Sequence, residues 1–310
     1  MLRVVGLGPG DPELLTIKAI RLLSKADVIY VPRSSRSEAS LAKNIVLKYA
    51  RGRVVELPFN MGGVGEEQLR EIAKIISSGE NAVYAVLGDP SLYSTFGKIR
   101  KYVDRPVEYV PGVSALISCS LRAGVELAVG DMAVAIVPAS RADLLKEALR
   151  LFDVVVVAKA NRNIELLNEL LSSHGATPLG GVIWRERRCL TELHGPITSP
   201  LYTYGGQGSF HRRGAGDPEL LTVKAVKYLS QAEVVIYAGS LVNAEVLKYA
   251  RQDAEVYNSA SMVTEEIVKL MIQKAREGKL VARLKSGDPS IYGALWEEII
   301  PLQLAGLSTR

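Results

Sequence analysis

The chain has 310 residues, 48% hydrophobic and 23% charged, with a formal net charge of +5, a length and balance that suit two or more soluble globular domains. No apolar run approaches the ~18–20 residues of a bilayer-spanning helix, and the dispersed positive charge with only 6% aromatics speaks for an anionic small substrate at least as well as for nucleic acid. Two cysteines, Cys119 and Cys189, and scattered His174, His194 and His211 give neither a disulfide framework nor a metal-ligand pattern, so the expectation is a cytoplasmic protein without a metal site.

From the amino terminus, short β-branched runs alternate with amphipathic stretches. Met1–Gly6 is too short in its apolar part for a secretion signal and reads as a buried first strand. Strands are expected at 2–6, 27–31, 53–56, 81–87 and 106–110, and helices at 14–25, 38–49, 65–78, 91–102 and 113–123. Such alternation predicts an α/β fold with a mostly parallel sheet. A second block follows, with strands near 132–138, 153–158 and 181–186 and helices near 140–150 and 162–173. The boundary falls within 125–130, giving an N-terminal α/β domain, 1–125, and a second α/β domain, 126–198.

The sequence then begins again. Asp11-Pro12-Glu13-Leu14-Leu15-Thr16 recurs as Asp217-Pro218-Glu219-Leu220-Leu221-Thr222, and Gly88-Asp89-Pro90-Ser91-Leu92-Tyr93 recurs as Gly287-Asp288-Pro289-Ser290-Ile291-Tyr292. A period of about 200 residues is far beyond solenoid repeats and means two related domains in tandem. The Gly-, Ser- and Tyr-rich stretch 199–213 is read as a linker, and 214–310 as an incomplete second copy of the N-terminal domain, without a second Val110-Pro111-Gly112-Val113-Ser114.

Three loops carry the chemistry. Gly6-Leu7-Gly8-Pro9-Gly10-Asp11 follows the first strand, where glycines allow tight turns and close approach to a ligand. A dinucleotide fingerprint is a weak reading, since the spacing is G-x-G-x-G and two prolines stiffen the turn. An NAD-binding or non-catalytic ligand-binding protein is the alternative of a different class. Leu87-Gly88-Asp89-Pro90-Ser91-Leu92-Tyr93-Ser94 and Val110-Pro111-Gly112-Val113-Ser114-Ala115 follow two later strands. All three loops should therefore gather at the carboxyl edge of one sheet, where open α/β sheets bind ligands.

Together these motifs resemble the tetrapyrrole methylase family, which implies a two-domain α/β fold, S-adenosylmethionine as methyl donor, a tetrapyrrole substrate and a homodimer. Residues 1–200 look like the members that methylate C-20 of precorrin-2 or cobalt-factor II in cobalamin synthesis. Residues 214–306 look like the opening of those that methylate C-11 of precorrin-4, a match carried by Tyr237-Ala238-Gly239-Ser240-Leu241-Val242 and the recurrent G-D-P-S motif. The resemblance implies that Gly8, Pro9, Gly88, Asp89, Leu92, Ser114 and Ala115 contact the donor, with Ala158 and Lys159 touching it from the second domain.

Methyl transfer from an activated donor is chiefly a matter of alignment, so no serine or cysteine nucleophile is expected. The accepting carbon must lose a proton, and Asp89 is the candidate to take it; the alternative is that Asp89 only caps a helix starting at Pro90. Asp11, just before Pro12, reads as a helix N-cap. Tyr93 is a substrate contact or a packing residue. Arg33, Arg36 and Arg162, with Lys159, are candidates to pair substrate carboxylates, although each alone is commonly a solvated charge.

The second copy departs from the family at its start. Arg213-Gly214-Ala215-Gly216-Asp217 stands where an apolar strand followed by G-A-G-P-G-D is expected. One lost base between overlapping genes would account for it, because bases encoding Ser209 through Asp217 can read H-F-I-G-A-G-P-G in a neighbouring frame. No independent C-11 activity is expected of 214–310.

Overall fold

The computed structural model describes residues 1–34, 40–59, 65–122, 125–159, 165, 167, 169–170, 184–185, 188–189, 217–291 and 293–309. Five strands, β1 (Leu2–Gly6), β2 (Val28–Ser34), β3 (Arg53–Phe59), β4 (Ala82–Val86) and β5 (Val107–Val110), form one sheet in the order β3-β2-β4-β1-β5. Every pairing is parallel. The strands read as near-continuous apolar runs because both sheet faces are covered. Val4, Tyr30 and Tyr84 join the core beneath helices α3 (Glu66–Ser78) and α4 (Thr95–Ile99). Val5, Ile29 and Val83 join the core on the other face, beneath α1 (Ile17–Lys25) and α2 (Leu41–Val46).

This order creates a crevice. The chain leaves β1 toward α1 on one face and leaves the neighbouring β4 toward α4 on the other. Adjacent strands whose exits diverge open a gap at their carboxyl ends, the usual ligand position of open α/β sheets.

Several predicted helices are shorter than expected, among them α2, which covers Leu41–Val46 of the expected 38–49. In place of a helix from 14, Pro12–Leu14 forms a single 3-10 turn, and α1 starts at Ile17 because extended Thr16 caps it, its hydroxyl accepting from Ala19 N at 3.1 Å. In place of a helix over 91–102, α4 covers only Thr95–Ile99, followed by a 3-10 turn at Arg100–Tyr102. Tyr93, at φ 51°, is left-handed and cannot continue a helix, so Ser94 becomes the cap.

The described residues fall into two units, one within 1–115, 202–232 and 239–254, the other within 116–201, 233–238 and 255–310. Helix α5 (Ala115–Arg122) leaves the first unit for the second. The second unit holds a parallel pair, β6 (Val134–Pro138) and β7 (Val154–Ala158), joined by α6 (Ala142–Leu151), which buries Leu145 and Ala148 against it. A two-residue antiparallel pair, β8 (Trp184–Arg185) and β9 (Arg188–Cys189), lies where one strand over 181–186 was expected.

Much of the recurrent sequence folds as its counterpart does, although Ala244–Tyr249 is a 3-10 helix in the region where the first copy has α2. Pro218–Leu220 is again a 3-10 turn, and α7 (Val223–Leu229) is capped by Thr222. Strands β10 (Val234–Tyr237), β11 (Glu255–Asn258) and β12 (Val281–Leu284) form a parallel sheet in the order β11-β10-β12, the arrangement of β3-β2-β4. Helices α8 (Thr264–Arg276) and α9 (Leu295–Leu304) complete this part. The predicted linker 199–213 lies outside the described residues.

Candidate functional site

The carboxyl ends of β1, β4 and β5 meet through three glycines. Gly8 and Gly88 form an antiparallel bridge: Gly88 N donates to Gly8 O at 2.7 Å and Gly8 N to Gly88 O at 3.3 Å. Both glycines are left-handed, with φ of 70° and 74°, a conformation that costs an L side chain roughly 1–2 kcal/mol. Gly112 packs beneath them; a methyl group there would lie 2.5 Å from Gly88 O and 2.8 Å from Gly6 Cα. At Gly6 and Gly112 only backbone fits, and at Gly8 and Gly88 the left-handed conformation favours glycine.

Asp89 ties the second loop to the third. Its buried carboxylate accepts from Ser91 N at 2.8 Å and Ser91 Oγ at 2.5 Å through Oδ1, and from Gly112 N at 2.9 Å through Oδ2. No helix starts at Pro90, so the sequence alternative of a helix cap becomes a local turn plus a long-range tether. Nearby, Tyr84 Oη and Thr95 Oγ1, 3.0 Å apart, pin the start of α4 to β4, and burial pushes the Tyr84 phenol well up. Asp11 takes its expected structural role, accepting from Glu13 N at 2.9 Å. Tyr49 Oη donates to Pro12 O at 3.5 Å, and burial together with Glu13 and Asp11 raises its phenol above the ordinary value.

Pro9, Gly88, Asp89, Ser114 and Ala115 thus belong to loops meeting at one sheet edge, with Ser114 3% exposed just before α5. Leu87, Leu92 and Tyr93 are large apolar side chains left exposed on the second loop. Arg33 lies near the carboxyl end of β2, where it pairs in register with Pro58. Ala158 ends β7, and Lys159 follows it with φ 59°; both belong to the second unit. Arg36 and Arg162 lie outside the described residues, as do His174, His194 and His211. Sequence reasoning passed over Gly6 and Gly112 as individual site residues, although a glycine at or just past the end of each strand was a legible signal of backbone approach.

This edge suits a small ligand with mixed character. Its backbone segments approach closely without side chains between them, and the second loop adds exposed apolar groups. Among the described residues no group of three or more His, Cys, Asp or Glu could hold a metal ion, and no helix is long and apolar enough to cross a membrane.

Comparison with known proteins gives the same direction. The family described as "Tetrapyrrole (Corrin/Porphyrin) Methylases" matches residues 1–186 and 213–310. The chain is 32% identical over 177 residues to the "Probable cobalt-precorrin-2 C(20)-methyltransferase" of Methanocaldococcus jannaschii, a match covering 54% of this chain and 74% of that protein. It is 28% identical over 328 residues to the cobalamin biosynthesis protein CobIJ of Mycobacterium tuberculosis, covering 93% of this chain and 63% of that one. A third relative, the cobalt-precorrin-4 C(11)-methyltransferase of Methanocaldococcus jannaschii, is 52% identical over 97 residues, which cover 31% of this chain and 38% of that protein.

Proposed function

Because the chain belongs to the tetrapyrrole (corrin/porphyrin) methylase family, we propose that it transfers the methyl group of S-adenosylmethionine to C-20 of precorrin-2 or cobalt-factor II in cobalamin biosynthesis. The observation that carries this reading is the meeting of Gly8, Gly88 and Gly112 at one sheet edge, on loops that also expose Leu92 and Tyr93. A donor that combines an adenine edge, a carboxylate and a sulfonium is well served by such a surface.

The reaction is an in-line displacement. The tetrapyrrole π-system supplies the electron pair for the new C–C bond, the C–S bond breaks, and S-adenosylhomocysteine leaves as a neutral thioether. The meso carbon then gives up its proton. The protein's share is alignment and exclusion of water, for which rigid glycine loops are suited. Gly8, Pro9, Gly88, Leu92, Ser114 and Ala115 are proposed to hold the donor, with Ala158 and Lys159 contributing from the second domain. Arg33, Arg36 and Arg162 would pair substrate carboxylates, with Tyr93 against the macrocycle.

Asp89 is proposed both as a donor contact and as proton acceptor, and the three hydrogen bonds it already accepts support a positioning role beside these. Kinetics separate them. If Asp89 takes the proton, Asp89→Asn lowers kcat and removes an acidic limb from its pH profile; if it only positions Gly112, the loss falls on donor KM and the pH profile keeps its shape.

The test incubates the full chain with labelled donor and precorrin-2, cobalt-factor II or precorrin-4, and maps the methyl. Label at C-20 is expected; label at C-11 alone would overturn the assignment. That second reading is favoured by the 52% identity to a C(11)-methyltransferase over 97 residues. A cytoplasmic location and a homodimer are proposed from cysteine usage and the family resemblance, together with the organisation into domains 1–125 and 126–198, linker 199–213 and partial copy 214–310.

A further inference from the structure

We infer that the second copy of the D-P-E-L-L-T segment takes, within this chain, the place of a partner subunit, pairing with the first copy about a local two-fold axis. The pairing is reciprocal in its two backbone bonds and in one ion pair, and Lys18 Nζ also reaches Asp217 Oδ2 at 3.4 Å. Ile17 N donates to Leu221 O at 2.8 Å, and its counterpart Val223 N donates to Leu15 O at 2.9 Å. Between them Thr16 and Thr222, 0% and 1% exposed, form an antiparallel bridge. Arg21 Nη2 reaches Glu219 Oε2 at 2.6 Å, and the counterpart of that ion pair, Lys227 with Glu13, closes at 3.1 Å. A contact in which each residue meets the counterpart of its own partner marks a self-complementary, isologous surface.

The pairing also answers a local need. Ile17 and Val223 are the first residues of α1 and α7, and their N–H groups are among those a helix cannot satisfy internally. Each receives its acceptor from the other copy. An unaided copy would leave this donor to water or another acceptor, so a second D-P-E-L-L-T segment suits the 11–21 face. The surface also touches the candidate site: a methyl group on Gly8 would lie 3.2 Å from Leu14 O.

A second contact of the recurrent segment, made by residues just after the N-terminal domain, stands by itself in the other unit. Leu127 N donates to Ser290 O at 2.8 Å, and Glu126 Oε1 accepts from Leu295 N at 2.6 Å and Trp296 N at 3.3 Å, capping α9. Segment 126–128 therefore serves the second copy's G-D-P-S turn and the helix that follows. Any homodimer of the full chain uses a face other than 11–21, since the chain's own residues fill that one.

Thr16→Cys with Thr222→Cys in the full chain tests the pairing, because facing residues between widely spaced ladder bonds sit close enough for a disulfide. Mild oxidation should give a product of single-chain mass containing a 16–222 linked peptide. A 16–222 or 16–16 link between two chains, or no link at all, would overturn the inference. Because cysteine removes both threonine caps, charge reversal provides a second measurement. Arg21→Glu should shift the folding equilibrium about two- to fivefold toward the unfolded state, and adding Glu219→Arg should restore it. Additive losses would overturn the pairing even if the cysteine variant fails to fold.

Discussion

The same four residues occur twice in this chain, as Gly88-Asp89-Pro90-Ser91 and Gly287-Asp288-Pro289-Ser290, and their local structure is nearly superimposable. Each glycine is left-handed, at φ 74° and 73°, and each aspartate accepts from its serine N at 2.8 Å and Oγ at 2.5 Å. Their surroundings differ. Asp89 also accepts from Gly112 N on the third loop. Ser290 is 0% exposed under Leu127, whereas Ser91 is exposed. Burial raises the Asp288 carboxyl above its ordinary value, with the serine bonds opposing the shift. A short motif thus specifies its own turn, but neighbouring strands decide whether that turn becomes part of a ligand edge.

Substitutions can break or sharpen this contrast. Gly112→Ala forces a methyl group to 2.5 Å from Gly88 O and should have the largest effect, destabilising by about 3 kcal/mol and abolishing donor binding in calorimetry. Gly287→Ala points into open space and should cost only the left-handed strain, about 1 kcal/mol in a denaturant titration. Equal losses at the two positions would erase the distinction.

The aspartates should respond in opposite senses to the same change. Asp89→Asn leaves either Gly112 N or the Ser91 donors facing an amide nitrogen, and about 2 kcal/mol should be lost. Asp288→Asn keeps an acceptor for Ser290 and removes a buried charge, so it should gain up to about 1 kcal/mol at pH 7. The sign with pH follows from the raised folded-state value of Asp288. Its protonated form is favoured by folding, so the stabilisation is fully present below the unfolded value near 3.8 and lost as pH rises through the folded one. The advantage of Asp288→Asn over the parent should therefore shrink as pH falls from 7 into the carboxylate range. An advantage that grows would refute the burial account.

A last pair of substitutions, of similarly modest effect, checks the symmetry itself. Thr16 and Thr222 cap equivalent helices, at 3.1 Å to Ala19 N and 3.2 Å to Ala225 N, in the region where the copies match. Thr16→Ala and Thr222→Ala should each cost about 1 kcal/mol. A large difference between them would mean the two environments are not equivalent.

The parallel α/β class and the strands of the first sheet were legible because a strand buried on both faces reads as an unbroken apolar run, as Ala82-Val83-Tyr84-Ala85-Val86 does. The convergence of the three loops was legible for a similar reason, since loops after parallel strands share one sheet edge. Helix starts were read less well. At Thr16 and Tyr93 a single hydroxyl cap or a single left-handed residue overrides a helical apolar pattern that runs across it. Arg33 also illustrates the limit: its position near the end of β2 follows from the strand, but no spacing in the sequence reveals what a long, flexible cation faces.

The sequence by itself determined which segments turn, which cap and which bury, because glycine, proline, threonine and aspartate act on the backbone within a few residues. Only the tertiary structure decided that Asp89 holds Gly112, that Gly6, Gly88 and Gly112 touch without side chains between them, and that Leu15 and Leu221 lend their carbonyls to each other's copies. Those contacts join residues far apart in the chain. They depend on strand order and on symmetry between the repeats, neither of which a local pattern encodes.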